Sequence, residues 1–172
     1  MGPRPVLQIG SAARVLIIGQ APGVKVHESG TPWKDASGRL LREWLGVDRE
    51  TFYDADRVAL MPMGFCYPGK GKSGDLPPRE ACAPLWHDVL LEVMPRVSLT
   101  ILIGRYAQGH YLGDRASENL TETVRAFREH LPEYLPLPHP SPRNRFWLAK
   151  NPWFEEEVLP ELGQRVAGAL IG

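Results

Sequence analysis

Four short apolar segments divide the chain, and their patterns predict the strands of one sheet. They span residues 14–19, 57–63, 99–104 and 134–139. The first and third are continuous runs of β-branched residues and leucine that end in glycine, which is typical of strands buried on both faces of a parallel sheet. The second and fourth are weaker, and two prolines in the fourth indicate an edge strand or a strand end. The pattern therefore predicts two central and two outer strands.

Helical patterns lie between and after these segments. They cover residues 37–45, 78–94, 106–112, 121–130 and 152–170. In the second, Leu85, Val89, Leu90 and Val93 recur at helical spacing, and Pro78 lies near the expected start, where a missing N–H costs least.

The alternation of strands and helices predicts an α/β protein. We expect a three-layer α/β/α sandwich with a central four-stranded, mainly parallel sheet and right-handed crossovers. In such folds, ligands bind beyond the carboxyl ends of the central strands. The loops that follow the strands are therefore the candidates for a functional site.

Length and composition favour a single globular domain over residues 1–172. Hydrophobic residues make up 43% and charged residues 23% of the chain, as in ordinary globular proteins. The longest apolar runs, residues 15–18 and 99–103, are too short to cross a bilayer, and the N-terminus lacks the pattern of a signal peptide. We expect a cytoplasmic monomer with no membrane partner.

Charge is balanced over the whole chain, with 20 basic and 20 acidic residues. No global field draws the protein toward nucleic acid, so any such contact must be local. A basic cluster of Arg143, Arg145 and Lys150 precedes three glutamates at residues 155–157. Taken alone, this cluster is better explained as an ordinary solvated surface.

The first candidate loop is Gly-Gln-Ala-Pro-Gly at residues 19–23, directly after the first strand. A turn with so little side-chain bulk lets the backbone approach a ligand closely. A simple strand-end turn is the alternative. The chain lacks the glycine motifs of dinucleotide and P-loop proteins, so no nucleotide cofactor is expected.

The second candidate loop is His-Pro-Ser-Pro-Arg-Asn at residues 139–144, after the last strand. Prolines at 138, 140 and 142 restrict the backbone, and we expect a rigid loop. A neutral imidazole fixed there can donate a hydrogen bond to an oxygen that gains charge as a bond breaks. A structural role for His139 is the alternative.

Together the two loops resemble the paired motifs of uracil-DNA glycosylases, most closely those of the thermophile-type branch that carries an iron–sulfur cluster. That branch has Gly-Glu-Ala-Pro-Gly, Gly-x-Pro-Phe and Gly-Arg-Leu-Leu, which match residues 19–23, 30–33 and 38–41 without a gap. The resemblance covers nearly the whole chain. Arg143 and Asn144 in the second motif are more similar to the single-strand-selective branch.

The resemblance implies hydrolysis of the N-glycosidic bond to a flipped-out, deaminated base in single- or double-stranded DNA. His139 takes the position of the electrophile that hydrogen-bonds the pyrimidine O2, and Gln20 takes a catalytic position in the pocket that helps to place water. Trp33 takes the position of the stacking aromatic, with a core aromatic as the alternative.

The resemblance also implies a base pocket and a DNA-contacting loop. The pocket would include Ala21, Pro22, Gly23 and Trp33, with the backbone of Met63 and Gly64. The DNA-contacting residues would be Ser141, Arg143, Asn144 and Arg145, and Phe146 lies where the family's loop enters the minor groove.

The chain departs from the family pattern at two positions of the expected pocket. Ala21 stands where several branches have a water-activating residue; Asp35 is the nearest acidic candidate, although we favour it as a helix N-cap. Met61, Met63 and Gly64 stand where related enzymes have a base-recognising asparagine. The excised base can therefore differ from uracil.

The long Pro/Gly-rich stretch 62–78 has little periodicity, and we expect it to border the site. Its Lys70 and Lys72 suit phosphate contact, with a solvated loop as the alternative. Cys66 and Cys82 match one pair of cluster cysteines, but no first pair exists, so we expect no iron–sulfur centre, no metal and no cofactor. The alternatives are a cluster shared between two molecules and a zinc ion held with His87.

Two further functional hypotheses remain open. A catalytically silent nucleic-acid or nucleobase binding module would explain the loss of the asparagine and of the water-activating residue. Hydrolysis of free nucleosides or nucleotides would be independent of Arg143 and Arg145.

Overall fold

A computed structural model of the protein describes residues 2–172. Its strands, in chain order, are β1 Val15–Ile18, β2 Val58–Leu60, β3 Lys70–Gly71, β4 Gly74–Asp75, β5 Leu99–Ile103 and β6 Tyr134–Leu137. The main sheet has four strands in the order β2-β1-β5-β6, and all neighbouring pairs are parallel. β3 and β4 form a separate antiparallel hairpin.

The helices lie between and after these strands. They are α1 Val24–Ser29, α2 Ala36–Leu45, α3 Arg49–Phe52, α4 Asp88–Glu92, α5 Gly104–Leu112, α6 Leu120–Arg125, α7 Arg145–Lys150 and α8 Leu159–Ile171. π-helical turns at Ala83–His87 and Phe154–Val158 lead directly into α4 and α8. No helix within residues 2–172 is both long and apolar enough to span a membrane.

β1 is central because it pairs on both sides. Leu16 is the partner of Ala59 in β2 and of Thr100 in β5. Successive β1 side chains point to opposite faces, so Val15 and Ile17 enter one core while Leu16 and Ile18 enter the other. Such burial on both faces requires the continuous apolar run that predicted this strand.

Helices cover both faces of the sheet. On one face, α2 and α8 supply Leu41 and Leu162 to the core. On the other, α5 supplies Ala107 and Leu112, and the segment after β2 supplies Met63. The predicted α/β architecture with its four-stranded parallel sheet is therefore confirmed, as are β1 and β5 as the inner strands.

The predicted helix 78–94 needs a correction. Helical structure begins only at Ala83, and Pro84 rather than Pro78 lies in its first turn. Of its predicted apolar positions, Leu85, Val89 and Val93 are 65%, 55% and 49% exposed, whereas the half-buried Leu90 packs against the core. The fully buried core residues of this stretch are Ala83 and Met94.

A buried histidine supports the loop that follows β2. His87 is 1% exposed, and its Nε2 lies 3.0 Å from the Pro62 carbonyl oxygen while its Nδ1 lies 2.6 Å from the Tyr111 hydroxyl. Because a carbonyl oxygen only accepts, Nε2 carries the hydrogen and the Tyr111 O–H donates to Nδ1. Burial lowers the pKa of His87, which keeps the ring neutral in this arrangement. The pair thus fixes the position of Pro62.

Tyr111→Phe is expected to lower the free energy of unfolding by about 1–3 kcal/mol, because it leaves the buried Nδ1 of His87 without a partner. The measurement is denaturant unfolding of both proteins. Tyr106→Phe is the matched control, because the Tyr106 hydroxyl accepts only an exposed bond from Arg105, and it should change stability by less than about 0.5 kcal/mol. Equal stability of the two variants would contradict the assigned role of His87.

Candidate functional site

A cavity of about 720 Å³ lies beyond the carboxyl ends of β1 and β6. Five groups of residues line it: the loop after β1, the segment before α2, the loop after β6, the β3–β4 hairpin and a few apolar side chains. They are Gly19, Gln20, Ala21, Pro22, Gly23, Pro32, Trp33, Asp35, Ser37, His139, Ser141, Arg143, Tyr67, Lys70, Gly74, Asp75, Val6, Val24, Val26, Leu60 and Pro62. Both candidate loops therefore face one cavity.

The loop after β1 is held from behind by the segment after β2. The Met63 N–H donates to the Gly19 carbonyl at 2.8 Å, and the Gly64 N–H donates to the Gln20 carbonyl at 3.0 Å. Met63 and Gly64 are buried and do not line the cavity. Their N–H groups support the loop and are not free to bind a base, so the structure separates these two residues from the other predicted pocket residues.

Trp33 occupies the cavity wall in an uncommon backbone conformation. Its φ is 56°, in the left-handed region that favours glycine. Tyr53 holds the preceding residue, since its hydroxyl donates to the Pro32 carbonyl at 2.8 Å. A Cβ at Gly38 would overlap the Trp33 carbonyl, and one at Gly19 would approach Trp33 Cζ2 to 2.9 Å. The two glycines therefore make room for the indole.

Trp33 is half-buried and packs against the core as well as facing the cavity. The core alternative therefore describes part of its contacts, while its role as a stacking clamp stays a prediction.

His139 faces the same cavity beside Trp33. The two ring centroids are 5.7 Å apart, with an interplanar angle of 32°. Burial lowers the pKa of His139, and the Asp35 carboxylate opposes part of this by raising it. No atom of residues 2–172 forms a hydrogen bond to the imidazole nitrogens of His139 in the structure. The ring is thus a neutral group that can donate a hydrogen bond to a ligand.

Two polar side chains fix the position of His139. The buried Gln108 amide of α5 donates to the Leu102 carbonyl at 3.1 Å and to the Leu137 carbonyl at 2.9 Å, which joins the ends of β5 and β6. The Asn144 amide donates to the His139 carbonyl at 2.7 Å. Both act on the main chain next to the imidazole, so the loop has a defined geometry.

The predicted DNA-contacting residues differ in their placement. Ser141 and Arg143 line the cavity, and the Ser141 hydroxyl accepts from the Arg143 N–H at 3.2 Å. Asn144 and Arg145 do not line it. The Asn144 amide is hydrogen-bonded to the His139 carbonyl. The exposed Arg145 lies over the ring of Phe146, which is itself 68% exposed. An exposed cation and aromatic ring thus stand beside the cavity mouth at the start of α7.

Asp35 is the N-cap of α2, as predicted. Its Oδ1 accepts from the Gly38 N–H at 2.8 Å. Asp35 also lines the cavity, close enough to His139 to raise the pKa of the imidazole. Capping and a charge in the cavity are therefore compatible roles for the one carboxylate.

On the hairpin side of the cavity, Lys70 was a predicted candidate for phosphate contact, whereas Tyr67 and Asp75 were not predicted as site residues. Tyr67, Lys70 and Asp75 line the cavity, and the Tyr67 hydroxyl donates to Asp75 Oδ1 at 3.3 Å. The long stretch was expected to border the site, but its strands were not predicted. The one available signal was a pair of glycines, at 71 and 74, that flank a two-residue turn.

The cysteines do not fit the iron–sulfur cluster of the thermophile-type branch. Cys66 and Cys82 are free and half-buried, and residues 2–172 contain no group of three His, Cys, Asp or Glu side chains placed to hold a metal ion. His87 cannot complete a zinc site in its present arrangement, because both its nitrogens are hydrogen-bonded. These residues thus supply too few ligands for a four-cysteine cluster.

Comparisons with known proteins agree with this geometry. A type-4 uracil-DNA glycosylase from Sulfurisphaera tokodaii is 26% identical over 117 residues, which cover 66% of this chain and 49% of that protein. The match thus spans about half the length of the curated relative. A solution NMR structure of a candidate uracil DNA glycosylase from Methanosarcina acetivorans has the same fold, with a TM-score of 0.51 and 20% identity over 92% of this chain and 97% of that chain.

The model of the uracil DNA glycosylase superfamily matches residues 8–163, which include all four strands of the main sheet and both loops of the cavity. The chain therefore belongs to the uracil DNA glycosylase superfamily.

Proposed function

We propose that this protein is a DNA glycosylase that hydrolyses the N-glycosidic bond of a flipped-out, deaminated base. The observation that carries the proposal is the neutral, unpartnered imidazole of His139 beside Trp33 in the cavity formed by residues 19–23. Membership of the superfamily and the similarity to a type-4 uracil-DNA glycosylase support it.

In the proposed complex the extruded base enters the cavity and stacks on the indole of Trp33. Extrusion costs a few kcal/mol, which contacts inside the pocket offset. The backbone of Ala21, Pro22 and Gly23 allows close approach of the ring, because these residues carry little side-chain bulk. Gln20 contributes its side-chain amide at the same edge.

Bond cleavage needs stabilisation of two developing charges. As the glycosidic bond breaks, its electron pair leaves with the base, and the neutral imidazole of His139 donates a hydrogen bond to the oxygen that becomes negative. The sugar becomes positive, and the Asp35 carboxylate favours this charge. Water then adds its oxygen to the sugar carbon and releases one proton, and the departed base takes up one proton.

DNA contacts would come from the loop after β6. Arg143 at the cavity edge and Arg145 at the start of α7 suit phosphate contact, while the exposed ring of Phe146 suits insertion into the space that the base leaves. Asn144 acts indirectly, because its amide holds the His139 carbonyl.

The test of the proposed function is a base-excision assay. Uracil, hypoxanthine and xanthine are placed in single- and double-stranded oligonucleotides, and wild-type protein is compared with His139→Ala. We expect release of at least one base, and a single-turnover rate about 10²–10³-fold lower for the variant. Binding of DNA without release of any base would instead favour the catalytically silent binding module.

The pH dependence of excision should show the lowered pKa of His139. The neutral ring is the active form, so the rate should hold below the ordinary value of about 6.5 and fall only as pH drops through the lowered pKa. His139→Gln keeps an amide donor that does not titrate and should lack this acid limb. A rate that falls already above pH 6.5 would contradict the assignment.

Folding stability is linked to the same titration. His139 takes up its proton at higher pH in the unfolded chain than in the folded chain. The stability that the neutral ring contributes is therefore fully present above about pH 6.5, and it is lost as pH falls through the lowered pKa of the folded state. Circular dichroism at each pH therefore accompanies the rate measurements, to separate loss of catalysis from unfolding.

Asp35→Asn and Asp35→Ala separate the charge of this residue from its capping role. Asparagine is also a good N-cap, so Asp35→Asn should keep the free energy of unfolding, whereas Asp35→Ala should lower it by about 0.5–2 kcal/mol. Both should excise about tenfold more slowly, because both lack the carboxylate charge. Both should also move the acid limb to lower pH, since the carboxylate raises the pKa of His139. A wild-type rate for Asp35→Asn would restrict this residue to capping.

A further inference from the structure

The cavity extends well beyond the Trp33–His139 pair. A Cβ at Gly19 would meet the Trp33 ring at 2.9 Å, whereas a Cβ at Gly23 would lie 3.8 Å from Asp75 Oδ2. Trp33 and Asp75 are thus at opposite ends of the loop 19–23, which can span at most about 14 Å. The cavity therefore reaches both ends of this loop.

The volume also exceeds what one base needs. About 720 Å³ is comparable to sites that enclose drug-sized ligands, which range from about 300 to 1,000 Å³. A single pyrimidine ring against Trp33 and His139 would leave the hairpin end of the cavity vacant.

The hairpin end offers three kinds of contact. Lys70 and Asp75 are direct cross-strand partners of β3 and β4, so a cation and a carboxylate stand side by side at the cavity. The Tyr67 hydroxyl donates to Asp75, and the Tyr67 ring centroid lies 6.0 Å from that of His27. This end of the cavity thus presents an aromatic ring, a cation and a hydrogen-bond acceptor.

The hairpin is fastened at its base. The Leu76 N–H donates to the Gly69 carbonyl at 2.8 Å, and the Leu76 side chain lies close to the Cα atoms of Gly69 and Gly71, where a Cβ would be 3.6 Å and 3.2 Å away. This closure holds Lys70 and Asp75 opposite each other on the two strands, and both line the cavity together with Tyr67.

We propose that the hairpin end of the cavity is a second nucleotide subsite, in which Tyr67, Lys70 and Asp75 hold the unpaired nucleotide next to the target base. This inference rests on the proposed function, because it takes the target base to occupy the Trp33–His139 end. The neighbouring base stacks on Tyr67, its phosphate contacts Lys70, and Asp75 accepts an N–H such as the cytosine N4 amine.

The subsite favours single-stranded DNA. In a duplex the neighbouring base would also have to leave the stack, at a further cost of a few kcal/mol beyond extrusion of the target, whereas an unpaired strand avoids most of this cost. The enzyme should therefore excise faster from single strands than from duplexes of the same sequence.

Binding of a single-stranded oligonucleotide that contains 2′-fluoro-2′-deoxyuridine, a substrate analogue that resists hydrolysis, tests the subsite independently of catalysis. Tyr67→Ala should weaken binding roughly tenfold, as loss of one stacked base does. Lys70→Gln should reduce the slope of log K against log salt by about 0.7, the value for one phosphate contact on a single strand. Lys72→Gln is the matched control: Lys72 lies at the hairpin tip, does not line the cavity, and should leave the slope unchanged.

Excision rates with different neighbours test the role of Asp75. Cytosine next to the target, on one of its two sides, should give a higher rate than thymine, because cytosine offers an N–H donor where thymine has a carbonyl oxygen. Asp75→Asn retains an acceptor for Tyr67 but replaces one carboxylate oxygen by an N–H₂ donor, and should abolish this preference.

The outcomes separate the subsite from the proposed function. Tyr67- and Lys70-dependent binding without release of any base would support the subsite and overturn the glycosylase activity. The subsite would be overturned, and the activity would remain, if two results came together. The excision rate would be the same for every neighbouring base and for single- and double-stranded DNA, and Tyr67→Ala would bind DNA as tightly as the wild type. Equal effects of Lys70→Gln and Lys72→Gln on the salt slope would also overturn the subsite, since they would show only general attraction to the hairpin.

Discussion

Two main-chain hydrogen bonds determine the form of the cavity. They run from the N–H groups of Met63 and Gly64 to the carbonyls of Gly19 and Gln20, just beyond the point where β1 and β2 stop pairing as strands. They continue the contact between the two chain segments after the sheet has ended, and so fix the start of the first loop at the cavity wall. The position of Trp33 depends on them, because its ring lies against Gly19.

The support of the loop 19–23 continues into the core on the α5 face of the sheet. Pro62, one residue before Met63, receives a hydrogen bond from His87, which is itself bonded to Tyr111 of α5. The same helix carries Gln108, whose amide joins the ends of β5 and β6 before His139. α5 therefore stabilises both cavity loops from one side, through polar groups that are buried and paired. The neutral state of His139 follows from the same close packing, since burial is the main cause of its lowered pKa.

The sequence predicted the sheet and the two loops because both depend on short-range patterns. A strand buried on both faces needs a continuous apolar run, and the carboxyl ends of parallel strands converge, so residues 19–23 and His139 were expected at one edge. The hairpin was not predictable, because strands of two residues have no periodicity. The spacing of Leu85 and Val89 indicated a helix but could not say that this face meets solvent. The engagement of Asn144 with His139 depends on a turn whose geometry no spacing rule supplies.

The bond from Asn144 to the His139 carbonyl has a mechanical consequence. Together with the main-chain bonds from Ser141 to His139 and from Asn144 to Ser141, it encloses Ser141 and Arg143 in one short hydrogen-bonded turn. These two cavity-lining residues and His139 therefore form a single piece. In the proposed complex, a force applied by DNA to this turn would be transmitted to the imidazole rather than absorbed by a flexible connection. Under the proposed function, correct binding of the strand and correct orientation of His139 would then be coupled, and a misplaced strand would leave the imidazole misaligned with the target base.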